Sequence, residues 1–313
     1  VKELDINIFQ MKSVENNLSE NRSPLVSIIV ITYNSERYVL ETLESAKSQT
    51  YQNIELIISD DGSTDKTVEI CKEWLDYNQE RFIRTEILTI EKNSGIPSNC
   101  NRGTRVAKGD WLKLIAGDDM LCNKCIEENI EFSKKSNCLI FFSQLYYFKE
   151  DEEQEESRAL NFYINKFITK NQIKKKFSYL RDPIFLNIPS LFYHTSVLRT
   201  VGGYDENFTL LEDQPFLLKV LLNNYDIGYL KKTTVKYRIH NYSVVAERNM
   251  VFLKDLFLSY KTIIRPNLRK YNIVDSLFKI NRDLYFFFLL KDNSNPFILK
   301  LLRRSYSLLR RLD

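Results

Sequence analysis

The run Val26-Ser27-Ile28-Ile29-Val30-Ile31 shows no polar/apolar alternation, and that restricts what can surround it. A strand with one wet face has a period of two. An unbroken β-branched run instead predicts a strand covered on both faces, the setting of a parallel sheet. Helical spacing follows at once, with Tyr38, Leu40, Leu43 and Ala46 recurring between residues 35 and 48. The same pairing then repeats. Residues 54–59 read as a second strand, and the turn Asp61-Gly62-Ser63-Thr64 leads into a helix carrying Val68, Cys71 and Leu75. Residues 82–90 read as a third strand and 96–107 as a helix opened by Pro97. Residues 111–116 give a fourth strand, 124–136 another helix and 138–148 another strand. This alternation predicts an α/β fold, an open and mostly parallel sheet flanked by helices.

Beyond it the pattern loosens. The acidic run 150–156 reads as a solvated loop. Residues 209–222 predict an apolar helix opened by an acidic pair, and from Val251 the spacing of Phe252, Leu256, Tyr260 and Ile263 is helical. The chain therefore divides into a polar leader (1–23), an α/β domain (24–245) and a helical C-terminal region (246–313).

A net charge of +4 on 313 residues is too small to argue for nucleic-acid binding. The excess is local: from Phe297 onward stand five basic residues (Lys300, Arg303, Arg304, Arg310, Arg311) and one acid. Phe297, Ile298, Leu301, Leu302, Leu308 and Leu309 share a helical face there, the pattern of a basic amphipathic helix. It suits either an anionic membrane surface or packing on the core. The leader has no apolar stretch of a secretory signal, and five cysteines are an odd number, so a reduced, cytoplasmic setting is expected, with the tail at the inner face of the cell membrane. Cys122 and Cys125 form a lone CxxC without a second ligand pair at zinc-finger spacing.

Ligands of open α/β sheets bind outside the carboxyl ends of the strands. Three polar clusters fall there: Thr32-Tyr33-Asn34, Asp60-Asp61-Gly62-Ser63 and Gly117-Asp118-Asp119. A dinucleotide site would need GxGxxG after the first strand, and a P-loop its own glycines; both are missing. A diphosphate on this rim would then be held by a divalent cation and basic side chains, and Asp118 and Asp119 are apt ligands for Mg²⁺ or Mn²⁺. Either acid pair alone is equally a turn or cap. Glu212-Asp213, at a helix start, is either a dipole-favoured pair or a general base. His240, beside Arg238, is a candidate metal or phosphate contact, whereas His194 reads as structural.

Taken together, SIIVITYNSERYVLETLESAKSQTYQNIELIISDDGSTDKT, NSGIPSNCNRGTRVAKGDWLKLIAGDDM, VGGYDENFTLLEDQPFLLKV and YRIHNYS resemble family 2 glycosyltransferases of the GT-A fold, over about residues 24–245. The resemblance implies a nucleotide-sugar half (about 24–120) and an acceptor half (about 121–245). It implies an inverting transferase that moves a sugar from a nucleotide-diphosphate donor to a glycan or lipid-linked acceptor in building cell-surface polysaccharide. It places Thr32, Tyr33 and Asn34 at the nucleotide, Asp60 at the base, Asp61 near the ribose or stabilising the turn, and Asn93 and Asn101 by the base and donor. Asp118 and Asp119 match the metal motif, with Asp119 the stronger ligand and His240 completing the shell. Arg238 is placed near the diphosphate, and Asp213 as base beside Glu212. Two departures stand out: Ala116 where many relatives carry an earlier acid, and Cys100 where many carry arginine. A nucleotidyltransferase, or a binding module without activity, is the alternative.

Overall fold

The structure is a computed structural model that describes residues 23–149, 169–170, 172–181, 188–240, 250–268, 272–289 and 296–309. The leader to residue 22, the acidic run 150–156, the 245/246 boundary and Arg310 and Arg311 lie outside the described residues.

The first half follows the expected alternation: β1 (Val26–Thr32), α1 (Val39–Lys47), β2 (Ile54–Asp60), α2 (Thr67–Asn78), β3 (Arg84–Leu88), α3 (Ile96–Val106), β4 (Trp111–Ala116), β5 (Met120–Leu121), α4 (Cys125–Ser136) and β6 (Ile140–Phe148). Then come α5 (Gln172–Arg181), β7 (Phe192–His194), α6 (Thr195–Val201), α7 (Asp213–Leu222) and β8 (Gly228–Arg238). Among the described residues these strands form one eight-stranded sheet in the order β3-β2-β1-β4-β7-β6-β8-β5. β3, β2, β1 and β4 are parallel, β7 runs antiparallel between β4 and β6, and β5 pairs antiparallel with β8.

β1 shows why its sequence lacks alternation. Val26, Ile28 and Val30 enter one core with α1, α2 and α4, while Ile29 enters the other with α3 and α5 to α7. All are fully buried, each contributing about 1.5–3 kcal/mol by leaving water. The third strand is shorter than the expected 82–90 because it is the sheet's edge, with every residue only half-buried. α2 begins beyond the Asp61 turn, at Thr67 with Lys66 as its N-cap residue, and the Asp65 carboxylate just before it accepts from the Thr67 N–H at 3.0 Å.

β6 and β8 run parallel, but their register slips. Ser143 faces Leu230, Gln144 faces Thr233 and Leu145 faces Val235, so Lys231, Lys232 and Thr234 stand opposite no residue of β6. Thr234 turns inward, fully buried, to hydrogen-bond Ser143 at 2.5 Å.

The C-terminal region is helical as expected: α8 (Met250–Ser259), continued by a π-helical turn (Tyr260–Ile264) and a short segment (Arg265–Asn267), then α9 (Ile273–Leu289) and α10 (Pro296–Leu309). Tyr260, Ile264 and Phe286 join the α7 core. A buried ion pair, Arg181 Nε to Asp275 Oδ1 at 2.6 Å, fastens α9 to α5. On α10, the Leu302 carbonyl and Ser305 Oγ accept from the Asn281 amide at 3.1 and 2.6 Å, so that side of the tail packs on α9. Leu301 on α10 and Ile273, Leu277, Ile280, Leu284 and Phe287 on α9 face solvent. Among the described residues no helix is long and apolar enough to cross a membrane.

Candidate active site

The parallel register aligns the strand ends. Thr32 is level with Asp60 and Ile31 with Ala116, so the three polar clusters meet on one rim. Gly117 permits this closeness, since a Cβ there would lie 2.8 Å from Thr32 Cγ2.

Most of the first two clusters hold each other. The buried Asp60 carboxylate accepts from Thr32 Oγ1 (2.8 Å), the Gly62 and Ser63 N–H groups (3.1 and 2.8 Å) and Ser63 Oγ (2.5 Å). Asn34 sits at φ 51°, and its Oδ1 accepts from the Thr64 N–H at 2.9 Å, tying the β1 turn to the β2 turn. Tyr33 is exposed at the rim. Asp61, also buried, accepts from the Ser94 and Gly95 N–H groups (3.1 and 2.9 Å) and from Ser94 Oγ (2.6 Å). Asn93 Oδ1 accepts from the same Gly95 N–H at 3.0 Å.

Sequence reading missed Arg102. Its guanidinium donates to the Asp60 carbonyl (3.1 Å), Asn99 Oδ1 (2.9 Å), Asp61 Oδ1 (2.9 Å) and Ser94 Oγ (2.7 Å). Cys100, where a cation is missing by comparison with the resemblance, is buried in the core, and Arg102 brings a guanidinium to the rim two residues later. Asn101 is drawn elsewhere. It is buried, with its amide donating to the Tyr204 carbonyl (2.9 Å) and Glu206 Oε1 (2.7 Å) while Oδ1 accepts from the Tyr204 N–H (2.9 Å).

Asp118 and Asp119 point to different surroundings. Asp119 is 2% exposed and its Oδ1 accepts from the Arg238 N–H at 2.9 Å; burial, reinforced by the charge of Asp118, raises its pKa well above the carboxylate range. Asp118 keeps its side chain partly open and meets His240, Oδ2 to Nε2, at 2.9 Å. Two neighbouring ligands on an octahedral ion with bonds of about 2.1 Å lie about 3 Å apart, so this pair fits a divalent cation. Among the described residues no group of three or more His, Cys, Asp or Glu could enclose an ion. The fit is therefore to a cation that shares its shell with phosphate and water.

Arg238 braces this corner. Its Nε donates to the Asp118 carbonyl and a terminal nitrogen pairs with Glu41 Oε2 on α1, at 2.9 and 2.8 Å. The guanidinium lies 4.4 Å from the Tyr38 ring centre and 4.6 Å from that of Phe148. Tyr38, which the sequence placed only on a helical face, also packs 5.2 Å from the His240 ring. His194 is structural, as expected: its Nδ1 accepts from the Ser196 N–H at 3.2 Å and caps α6.

Glu212 and Asp213 open α7, both half-buried. Burial pushes Glu212 up to about 8, with the charge of Asp213 adding to it, and pushes Asp213 up to about 6. Tyr237 lies near the end of β8, its ring 5.5 Å from that of Tyr147. Its phenol is held above the usual tyrosine range by burial and then by Asp119, Asp118, Tyr147 and Glu212. The loop before the acid pair is fastened to the rim by backbone contacts: Asp61 accepts from the Gly95 N–H at 2.9 Å, and the next N–H, of Ile96, donates to the Thr209 carbonyl at 2.9 Å, three residues before Glu212.

Residues 27–197 match the family described as Glycosyl transferase family 2. An uncharacterized glycosyltransferase of Methanocaldococcus jannaschii is 26% identical over 227 residues, covering 72% of this chain and 74% of its own length. Among solved structures, residues 1–349 of TarS from S. aureus, in complex with UDP-GlcNAc, align with a TM-score of 0.62 at 19% identity, covering 86% of this chain and 76% of that one. The match spans 44% of the longer TarS chain. Mannosyltransferase PcManGT from Pyrobaculum calidifontis, in complex with GDP-Man and Mn²⁺, aligns with a TM-score of 0.52 at 14% identity, covering 97% and 78%. With the sheet order, the rim and these matches in agreement, the chain has a GT-A-type α/β fold with C-terminal helices and belongs to glycosyl transferase family 2.

Proposed function

We propose that this chain transfers a hexosyl group from a nucleotide-diphosphate sugar to a hydroxyl of a glycan or lipid-linked acceptor, with inversion at the anomeric carbon. The observation that carries the reading is the run of contacts from the rim to the acid pair, Asp61 to the Gly95 N–H and the Ile96 N–H to the Thr209 carbonyl, three residues before Glu212. An acceptor hydroxyl held near Asp213 would face a diphosphate held near Asp118, as in-line displacement requires.

In this reading the nucleoside lies over Thr32, Tyr33 and Asn34, with Asp60, Asp61, Asn93 and Arg102 fixing the shape of its floor. Asn101 acts from below, by holding the loop 203–206. Asp118 and His240 would hold Mg²⁺ or Mn²⁺ on the donor side, and Asp119 sets the end of β8 through the Arg238 N–H. When bound, the cation supplies charge neutralisation of the leaving diphosphate. Arg238, kept rigid by Glu41 and two aromatic rings, adds fixed positive charge at the same edge. Burial raises both acids, Glu212 the further because the charge of Asp213 adds to it, so we assign the negative charge of the pair to Asp213. That carboxylate takes the acceptor proton as the new bond forms.

For the acceptor, the exposed apolar line on α9 and the exposed Lys300, Arg303 and Arg304 on α10 favour a lipid-linked substrate met at an anionic cytoplasmic leaflet. Co-sedimentation with anionic vesicles, with and without the chain from Phe297 onward, tests this; equal pelleting discards it.

A thermal-shift panel of UDP, GDP and their sugars, with and without Mn²⁺, tests the donor class, because a ligand of the folded state raises its stability. Release of nucleoside diphosphate from the stabilising donor should follow. No shift with any member, with or without Mn²⁺, rejects the reading.

A further inference from the structure

The acid pair is not held by the sheet alone. Asp255 on α8 is 5% exposed, and its Oδ2 accepts from three consecutive backbone N–H groups: Thr209 at 2.9 Å, Leu210 at 2.7 Å and Leu211 at 3.2 Å. One turn further along the same helix, the fully buried Ser259 donates its hydroxyl to Gln214 Oε1 at 2.6 Å. These two attachments bracket Glu212 and Asp213 on both sides. The bracketed loop is also pinned at its start, where the Ile96 N–H donates to the Thr209 carbonyl at 2.9 Å.

We infer that Asp255 is a positioning residue for the acid pair: its carboxylate fixes the turn 209–211 from which α7 begins, and so fixes where Asp213 points. The inference rests on the reading of Asp213 as general base. Hydrogen bonds to a buried carboxylate are roughly twice as strong as neutral ones, so three on one oxygen make a firm anchor. A base must lie within hydrogen-bond reach of the proton it removes, and a shift of about 1 Å can cost about 100-fold in rate. The C-terminal helices thereby become part of the catalytic apparatus without touching substrate.

The test compares Asp255→Ala, Asp255→Asn and Ser259→Ala in the full chain. UDP-GlcNAc and GDP-mannose serve as donors, UDP and GDP with Mn²⁺ as binding probes, and amide hydrogen exchange reports on residues 209–214. Asp255→Ala should lower kcat by about 30–100-fold, leave donor KM and nucleotide affinity within about threefold, and speed exchange at 209–211 but not in β1. Asp255→Asn, which keeps an acceptor oxygen, should recover part of the rate, and Ser259→Ala should show a smaller loss in the same direction. A kcat within threefold of wild type, an affinity loss as large as the kcat loss, or unchanged exchange at 209–211 overturns the assignment. Should the wild type turn over neither donor, the reading of Asp213 fails for these donors. The exchange arm then decides Asp255 alone: faster exchange confined to 209–214 upholds the anchor and unchanged exchange removes it. Where Asp255→Ala does not fold, the other two variants are read by the same criteria.

Discussion

His240 Nε2 stands 2.9 Å from Asp118 Oδ2, although 122 positions separate them in the chain. The contact exists because β8 ends beside the turn after β4, and it gives the open rim one carboxylate and one imidazole at the spacing of adjacent metal ligands. Asp119, its neighbour, spends an oxygen on the Arg238 backbone instead.

His240→Ala and Asp118→Asn should each weaken Mn²⁺-dependent binding of UDP or GDP by about 10–100-fold and leave metal-free binding unchanged, measured by calorimetric titration. Equal losses without the metal would remove both from the cation site. Asp119→Ala should behave differently. It strands the Arg238 N–H in a buried setting, so unfolding free energy should fall by about 1–3 kcal/mol together with affinity.

Asp213→Asn should abolish transfer, by about 10²–10⁴-fold, with donor affinity nearly intact. Loss of both in equal measure would reject its assignment as base.

The pH dependence follows from the same pair. Asp213 must be ionised to accept a proton, so kcat should climb with pH through about 6. The stability effect runs the other way. Glu212 has its pKa raised on folding, to about 8, so the folded state holds a proton that the unfolded state releases. The resulting penalty is absent below the ordinary glutamate range, grows as pH rises and is complete above about 8. Glu212→Gln should therefore raise Tm at pH 9, by about 2–8 °C, and leave it unchanged at pH 4, as read by calorimetry.

Asn101→Ala removes three hydrogen bonds that hold the 203–206 loop. It should cost about 2–4 kcal/mol in denaturant unfolding while nucleotide affinity changes little. A large affinity loss in a fully stable variant would return Asn101 to the donor.

Arg102→Ala should loosen Asp61 and Ser94 and weaken UDP or GDP binding with and without metal by a similar factor, about 10-fold. A purely metal-dependent loss would contradict that placement.

Much of this could be read from residue order. β1, β2 and β4 announce themselves because each is buried on both faces, and the parallel register then carries Thr32, Asp60 and Ala116 to one edge. β7 could not be read, since three residues show no period, and β5, with two, shows less. The functional side chains that were missed share a physical cause. Arg102 sits in an ordinary helical pattern, Tyr38 looks like any core aromatic, and Asp255 is a lone acid in an apolar helix. Each acquires its role from a partner distant in sequence, for which local spacing carries no signal.

The slipped pairing of β8 against β6 has an evolutionary corollary. Side chains of a strand switch faces with every residue, so deleting one of Lys231, Lys232 or Thr234 would send Arg238 through the sheet to the far side and swing His240 away from Asp118. Two lysines that look like dispensable surface decoration are thus spacers that set the parity of the strand. Related chains should exchange their identity freely there while keeping their number.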